Sequence, residues 1–150
     1  MTQDDMRALV DAHIAAENTS DLDAAVAVYT DDVEHDVVGA PGGPVHGRAA
    51  ARQRYQQLMH EVRTDELRET RRFYGDNVCV VEHDCTMTVT GSFAGLAGDG
   101  RQATFRMLHV FEFRAGRISR ENVWTDTATI MVQLRAPSPV APGLAEAVAI

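Results

Sequence analysis

The chain has 150 residues, 45% of them hydrophobic and 24% charged, with 14 basic against 22 acidic side chains and a formal net charge of −8. That length suits one domain, which buries roughly 70% of its unfolded surface and can hold an internal cavity. The acidic balance argues against nucleic acid and anionic membrane as partners, because phosphate binding needs clustered Lys and Arg, and no run of about 18 apolar residues offers a membrane span.

The amino terminus, MTQDDMRALVDAH, lacks the basic start and apolar stretch of a signal peptide, so a cytoplasmic location is expected. Met6, Leu9, Val10, His13 and Ile14 recur at helical spacing and predict a helix over residues 4–18. Ser20 with Asp23 resembles a capping box and predicts a short second helix through Leu22, Val26 and Tyr29. Residues 33–38, VEHDVV, read as a short strand, and the glycine- and proline-rich run 39–47 as a loop. A third helix is expected over residues 48–62, with Ala51, Tyr55, Leu58, Met59 and Val62 as its apolar stripe.

From there the period changes from helical to alternating. Residues 65–74 predict a polar edge strand. Over 77–90, Cys79, Val81, His83, Cys85, Met87 and Val89 share one face, and Glu82, Asp84, Thr86 and Thr88 the other. A glycine-rich loop, 91–100, precedes a second alternating run over 102–114, whose apolar face is Ala103, Phe105, Met107, His109, Phe111 and Phe113. Arg114-Ala115-Gly116-Arg117 predicts a hairpin turn into a last strand, 118–126. Cys79 and Cys85 are six residues apart in one strand. That is about 20 Å, too far for a disulfide, so both are expected to be reduced packing residues.

Helices first and a curled sheet afterwards imply an α+β fold: a cone-shaped curved antiparallel sheet packed against three N-terminal helices. One domain is expected over residues 1–134, with a loose proline-containing tail over 135–150.

The chemistry is carried by histidines on apolar faces. His13 lies on the stripe of the first helix, and His83 and His109 lie mid-strand on inward faces. One such histidine is more often a satisfied core residue than a catalyst. Three facing one interior need each other, an acid or a polar cavity. Asp36, at the lip of the glycine-rich loop, is the candidate base: beside an apolar cavity its pKa would rise. A solvated carboxylate at a strand end is the plainer alternative. Nothing has the compact ligand spacing of a HExxH metal site, and no GxSxG or activated cysteine suggests a nucleophile. No metal and no cofactor are expected.

The segments HIAAENTSDLDAAVAVYTDDVEHDVVG, HGRAAARQRY, HVFEFRAGRI and DTATIMVQL, in that order, resemble the nuclear-transport-factor-2-like superfamily, and within it SnoaL-like polyketide cyclases and ketosteroid isomerases. The likeness covers about residues 5–134. It implies a site built from three positions. His13 stands where ketosteroid isomerases place an oxyanion-stabilising tyrosine, and His109 where they place their second oxyanion donor. Asp36-Val37-Val38-Gly39 matches the segment of their catalytic Asp once a one-residue deletion is assumed; without it the position falls on Val37. SnoaL-like cyclases carry histidine at the His109 position, but Val123 stands where they and limonene-epoxide hydrolases keep an Asp. Asp126 is expected to cap a strand end.

The resemblance therefore implies a cofactor-independent isomerase or cyclase acting on a hydrophobic, carbonyl- or phenol-bearing small molecule, in the manner of secondary-metabolite tailoring. The expected base is Asp36, and the expected donors are His13 and His109. His83, Tyr55, Phe105, Met107, Phe111, Glu121, Val123 and Trp124 are expected around the pocket, although Glu121 reads more readily as a surface charge on a twisted strand than as an inward-facing residue. A dehydratase or epoxide-opening enzyme, a ligand-binding module and a dimerisation domain are the alternatives. A homodimer through the outer sheet face is expected, with Val78, Val80, Leu108 and Val110 available there.

Overall fold

The computed structural model describes residues 1–136. Helix α1 spans Gln3–Asn18 and opens with a capping box. The Asp5 amide donates to Thr2 Oγ1 at 3.1 Å, and the Thr2 amide donates to the Asp5 carboxylate at 3.1 Å. These pairs satisfy donors that a helix start leaves open. The buried stripe is Met6, Val10, His13 and Ala16. Helix α2, Leu22–Ala27, is capped by Asp21, whose carboxylate accepts from the Ala24 amide at 3.0 Å. Ser20, the cap expected from its spacing to Asp23, instead sits in the left-handed region at φ 58°. Tyr29 opens the next strand rather than closing α2.

Strand β1 covers Tyr29–Val37, β2 Val45–His46, α3 Arg48–Glu61, β3 Val62–Gly75 and β4 Val78–Val89. The glycine-rich stretch expected as a loop holds a small hairpin, β5 Ser92–Phe93 and β6 Leu96–Ala97. Then come β7 Arg101–Arg114, β8 Arg117–Thr125 and helix α4 Thr127–Arg135. The β7–β8 turn places Ala115 at φ 51° and Gly116 at φ 74°, the paired positive values that let a two-residue turn follow strand twist.

The curved sheet runs β2-β1-β8-β7-β4-β3. It is antiparallel except for the β1–β8 pair, which is parallel. This corrects the wholly antiparallel expectation. A parallel pair needs a long connection, and the chain between β1 and β8 supplies α3 and three long strands. The polar strand β3 is indeed an edge, where its charged residues discourage pairing with another chain. Along β4 all six residues of the expected inward face are buried. Cys79 and Cys85 are among them, and both are free thiols. α4 is a fourth helix that the sequence pattern does not reveal. Asp126 does act as a cap, but of this helix, accepting from the Thr129 amide at 3.1 Å. The expected loose tail, 135–150, begins too early, since Arg135 still belongs to α4 and Ala136 caps it; its remainder, 137–150, lies outside the described residues.

Two apolar clusters fill the interior. One gathers Met6, Val10, Val26, Tyr29, Val33, Tyr55, Val81 and Phe111; the other gathers Cys85, Met87, Phe105, Ile130 and Leu134. Along β4 and β7 the buried residues between the two clusters are His83 and His109. The core is thus divided by a polar layer.

Candidate active site

Each polar group is delivered by the periodicity of its element. His13 lies on the buried face of α1, and Tyr55 on that of α3. Alternation along β1 turns Val33 and His35 inward, and along β8 it turns Glu121 and Val123 inward. His35 and Glu121 are register partners across the parallel pair.

The centre of the layer is Glu121, 0% exposed. Its Oε2 accepts from Tyr55 Oη at 2.9 Å and from Tyr29 Oη, and lies 3.1 Å from His13 Nε2. His13 Nδ1–H donates to the Ala25 carbonyl at 2.9 Å, which fixes the ring and aims Nε2 at the carboxylate. Glu17, one turn along α1, reaches His13 Nε2 at 3.6 Å.

A charge is costly in such a place unless it is paired. Burial opposes ionisation of Glu121, but the opposing charge and hydrogen bond of His13 outweigh it and hold the carboxyl well below the usual range. Burial alone would lower His13; Glu121 and Glu17 instead raise it to about 9. Burial lifts Glu17 to about 7, with His13 pulling the other way. Burial, then the Glu121 charge, keeps the hydroxyls of Tyr29 and Tyr55 protonated and therefore donating. At neutral pH the centre is an imidazolium–carboxylate pair with two phenol donors.

The other three histidines of the layer, His35, His83 and His109, are neutral. Burial lowers His35 and His83 and brings His109 down to about 4. His109 Nδ1 and His83 Nδ1 are 3.3 Å apart, so one must donate and the other accept. His109 Nε2 stands 3.8 Å from Glu121 Oε1. A bare lone pair there would face a carboxylate. The favourable tautomer therefore has His83 donating to His109 Nδ1, leaving His109 Nε2–H aimed toward Glu121. At 3.8 Å that contact is too long for a hydrogen bond. Glu121 Oε1 has no partner. A ligand oxygen could bridge the two.

Of the sequence-derived set, the structure gathers His13, His109, His83, Tyr55 and Glu121 in this layer. Phe111 stacks on His109 with ring centroids 5.6 Å apart, and Val123, Phe105 and Met107 line the same interior. Two residues lie elsewhere. Asp36 follows inward-facing His35, so the strand turns it to the other face, where its carboxylate accepts from Asn122 Nδ2 at 3.0 Å. Trp124 is likewise turned outward, 51% exposed, and donates its indole N–H to Asn122. Sequence reasoning missed Tyr29, Glu17 and His35 as members. A tyrosine on an apolar stripe was the available signal for Tyr29, since its hydroxyl needs a partner when buried.

His13, Glu17 and Glu121 offer ligand atoms within 4.8 Å of one another and could hold a metal ion. A proton on His13 meets the same electrostatic need, since it already neutralises Glu121.

A family model, the SnoaL-like domain, matches residues 10–121. Among curated proteins, none matches the chain. Several solved structures share the fold. A proposed polyketide cyclase from Xanthomonas campestris pv. campestris is 24% identical with a TM-score of 0.79, over 88% of this chain and 98% of that one. A proposed isomerase from Rhodopseudomonas palustris is 20% identical with a TM-score of 0.70, over 89% and 97%. An LEH-like epoxide hydrolase of M. tuberculosis is 19% identical with a TM-score of 0.66, over 84% and 86%.

Proposed function

The chain belongs to the SnoaL-like domain family, and we propose that its buried polar layer is the site of a cofactor-independent acid/base enzyme acting on a hydrophobic, carbonyl- or phenol-bearing small molecule. The observation that carries this reading is Glu121: a buried carboxylate, held ionised by His13, with one oxygen fully engaged and the other unpartnered beside His109. Glu121 Oε1 takes a proton from carbon next to the substrate carbonyl. The C–H electron pair moves into the carbonyl, and its oxygen accepts from His109 Nε2–H. A neutral imidazole can serve as such a donor. Returning the proton to a different carbon completes an isomerisation; attack of the enolate on a second carbonyl closes a ring, and the alkoxide so formed takes the proton back from Glu121, restoring the carboxylate. Pre-aimed donors in a dry site contribute several kcal/mol to such a step, on the order of 3 per donor. Neighbours described as proposed polyketide cyclases and a proposed isomerase support this pair of outcomes.

Glu121 replaces Asp36 as the base, because Asp36 faces away from the layer. The test is exchange of the α-protons of 2-tetralone in D2O, followed by NMR. The wild type is expected to accelerate exchange over buffer, and Glu121→Gln to remove about a hundredfold or more of that acceleration. Asp36→Asn is expected to leave it unchanged. Binding of 2-tetralone with no acceleration would instead identify a ligand-binding module.

A further inference from the structure

His35 is the least explained residue of the interior. It is 1% exposed, and neither ring nitrogen has a partner. Its ring packs on Tyr55 at a tilt of 49° with centroids 4.7 Å apart, so the packing partner is present and only the polar partner is missing. Phenylalanine would fill the same space without burying two unsatisfied nitrogens, which is costly. The third unpartnered polar atom of the layer is Glu121 Oε1. His35 and Glu121 are register partners on the same face of adjacent strands, a placement that brings side chains to about 5 Å. One guest can therefore answer both residues.

The guest's chemistry follows from what faces it. Glu121 Oε1 is a carboxylate oxygen and requires a donor. His35 is a neutral imidazole, and so presents one N–H and one lone pair. His13 already neutralises Glu121, and the surroundings are aromatic and apolar, so an added charge would be penalised. A neutral hydroxyl meets both demands with a single oxygen.

We propose that His35 and Glu121 form the anchoring subsite for a phenolic or enolic hydroxyl of the ligand, the O–H donating to Glu121 Oε1 and the oxygen accepting from a ring N–H of His35. This rests on reading the polar layer as the ligand site, and it narrows the ligand to planar hydroxyl-bearing compounds. His35 then sets specificity rather than moving the reacting proton, and of the two lone pairs on Glu121 Oε1 one takes the anchoring O–H and the other is left to face the reacting C–H.

The experiment compares binding of 4-ethylphenol and ethylbenzene to the full chain by NMR titration, with ring-15N-labelled histidine. The wild type is expected to prefer 4-ethylphenol by roughly tenfold or more, the usual gain from a hydrogen bond to a buried charge, with the His35 ring signals moving on binding. His35→Phe keeps the packing on Tyr55, so it is expected to fold with unchanged or higher Tm and to lose most of that preference. Equal affinity for the two probes, an unmoved His35 resonance, or a preference that survives His35→Phe would overturn the assignment. The outcomes separate from those of the catalytic reading. Loss of 2-tetralone exchange in Glu121→Gln without any phenol preference sinks only the anchoring subsite. Phenol preference with exchange indifferent to Glu121 sinks only the catalysis.

Discussion

His13 shows how one side chain sets the state of its surroundings. Its Nδ1–H is committed to a backbone carbonyl and its Nε2 to a carboxylate, so it holds Glu121 in place rather than offering a donor to a substrate. His13→Leu would leave Glu121 buried without its cation. Breaking one side of a buried pair costs about 3–5 kcal/mol, and chemical denaturation is expected to read a loss of that size. The titrations give stability a defined pH course. His13 is raised from 6.5 to about 9, so its contribution is complete below 6.5 and is lost as pH rises through 9. His109 is lowered from 6.5 to about 4, with His35 and His83 lowered in the same direction. Their contribution is complete above 6.5 and is lost as pH falls. Glu17, raised from 4.5 to about 7, opposes those three over that interval. Tm is expected to peak near pH 6.5 and to fall on both sides; in His109→Phe the acid limb becomes shallower. A flat profile would contradict the charge assignment.

At the scale of elements, the difference between the base expected from the sequence and the one proposed from the structure comes from strand alternation. Residues 33–38 are legible as a strand, yet the pattern VEHDVV does not say which set faces in, since Glu34, His35 and Asp36 are all polar. Pairing with β8 decides it, turning His35 inward and Asp36 outward. On β8 the same rule places Glu121 inward, two residues before Val123, so the carboxylate occupies the inward face one step from the position expected for an Asp. The histidines of β4 and β7 were legible because each falls in step with an alternating apolar series, Cys79 to Val89 and Ala103 to Phe113. Helix α4 escaped detection because its role is set by a neighbour. β8 pairs with β7 only as far as Met107–Thr125, and beyond that point α4 takes over. Gln133 uses its amide to pair both ways with Thr104, at 2.9 Å and 2.7 Å, while Ile130 and Leu134 fill the second apolar cluster. Ile130→Ala is expected to cost about 2–5 kcal/mol in thermal or urea unfolding. Gln133→Ala is expected to speed hydrogen exchange at the Thr104 amide while leaving the centre of β7 protected.

For the whole molecule, the outer sheet face carries an apolar surface. Phe73 and Trp124 are 52% and 51% exposed, and the register sets Phe73 beside Val80, Val80 beside Val110, and Trp124 beside Leu108. A contiguous patch of this kind marks a contact surface. A second copy of the chain is the expected occupant, so sedimentation should find a dimer that Trp124→Glu converts to monomer. A wild-type monomer at micromolar concentration would refute this. Among the described residues no helix is long and apolar enough to cross a membrane.

Period and composition by themselves determined the α+β class, the order of the first three helices and the long strands, the edge position of β3 and the burial of His13, His83 and His109. Those features are local, because a side chain's face within an element follows from spacing of 3.6 or 2. Tertiary structure alone decided the parallel β1–β8 pairing and the inward face of β1. It also decided the meeting of Tyr29, Tyr55 and His13 on Glu121. The reason is that a buried carboxylate survives only where distant elements converge to neutralise and hydrogen-bond it. α1, β1, α3 and β8 are brought together by the strand order of the curved, open sheet and the helices packed on it, which no local pattern encodes.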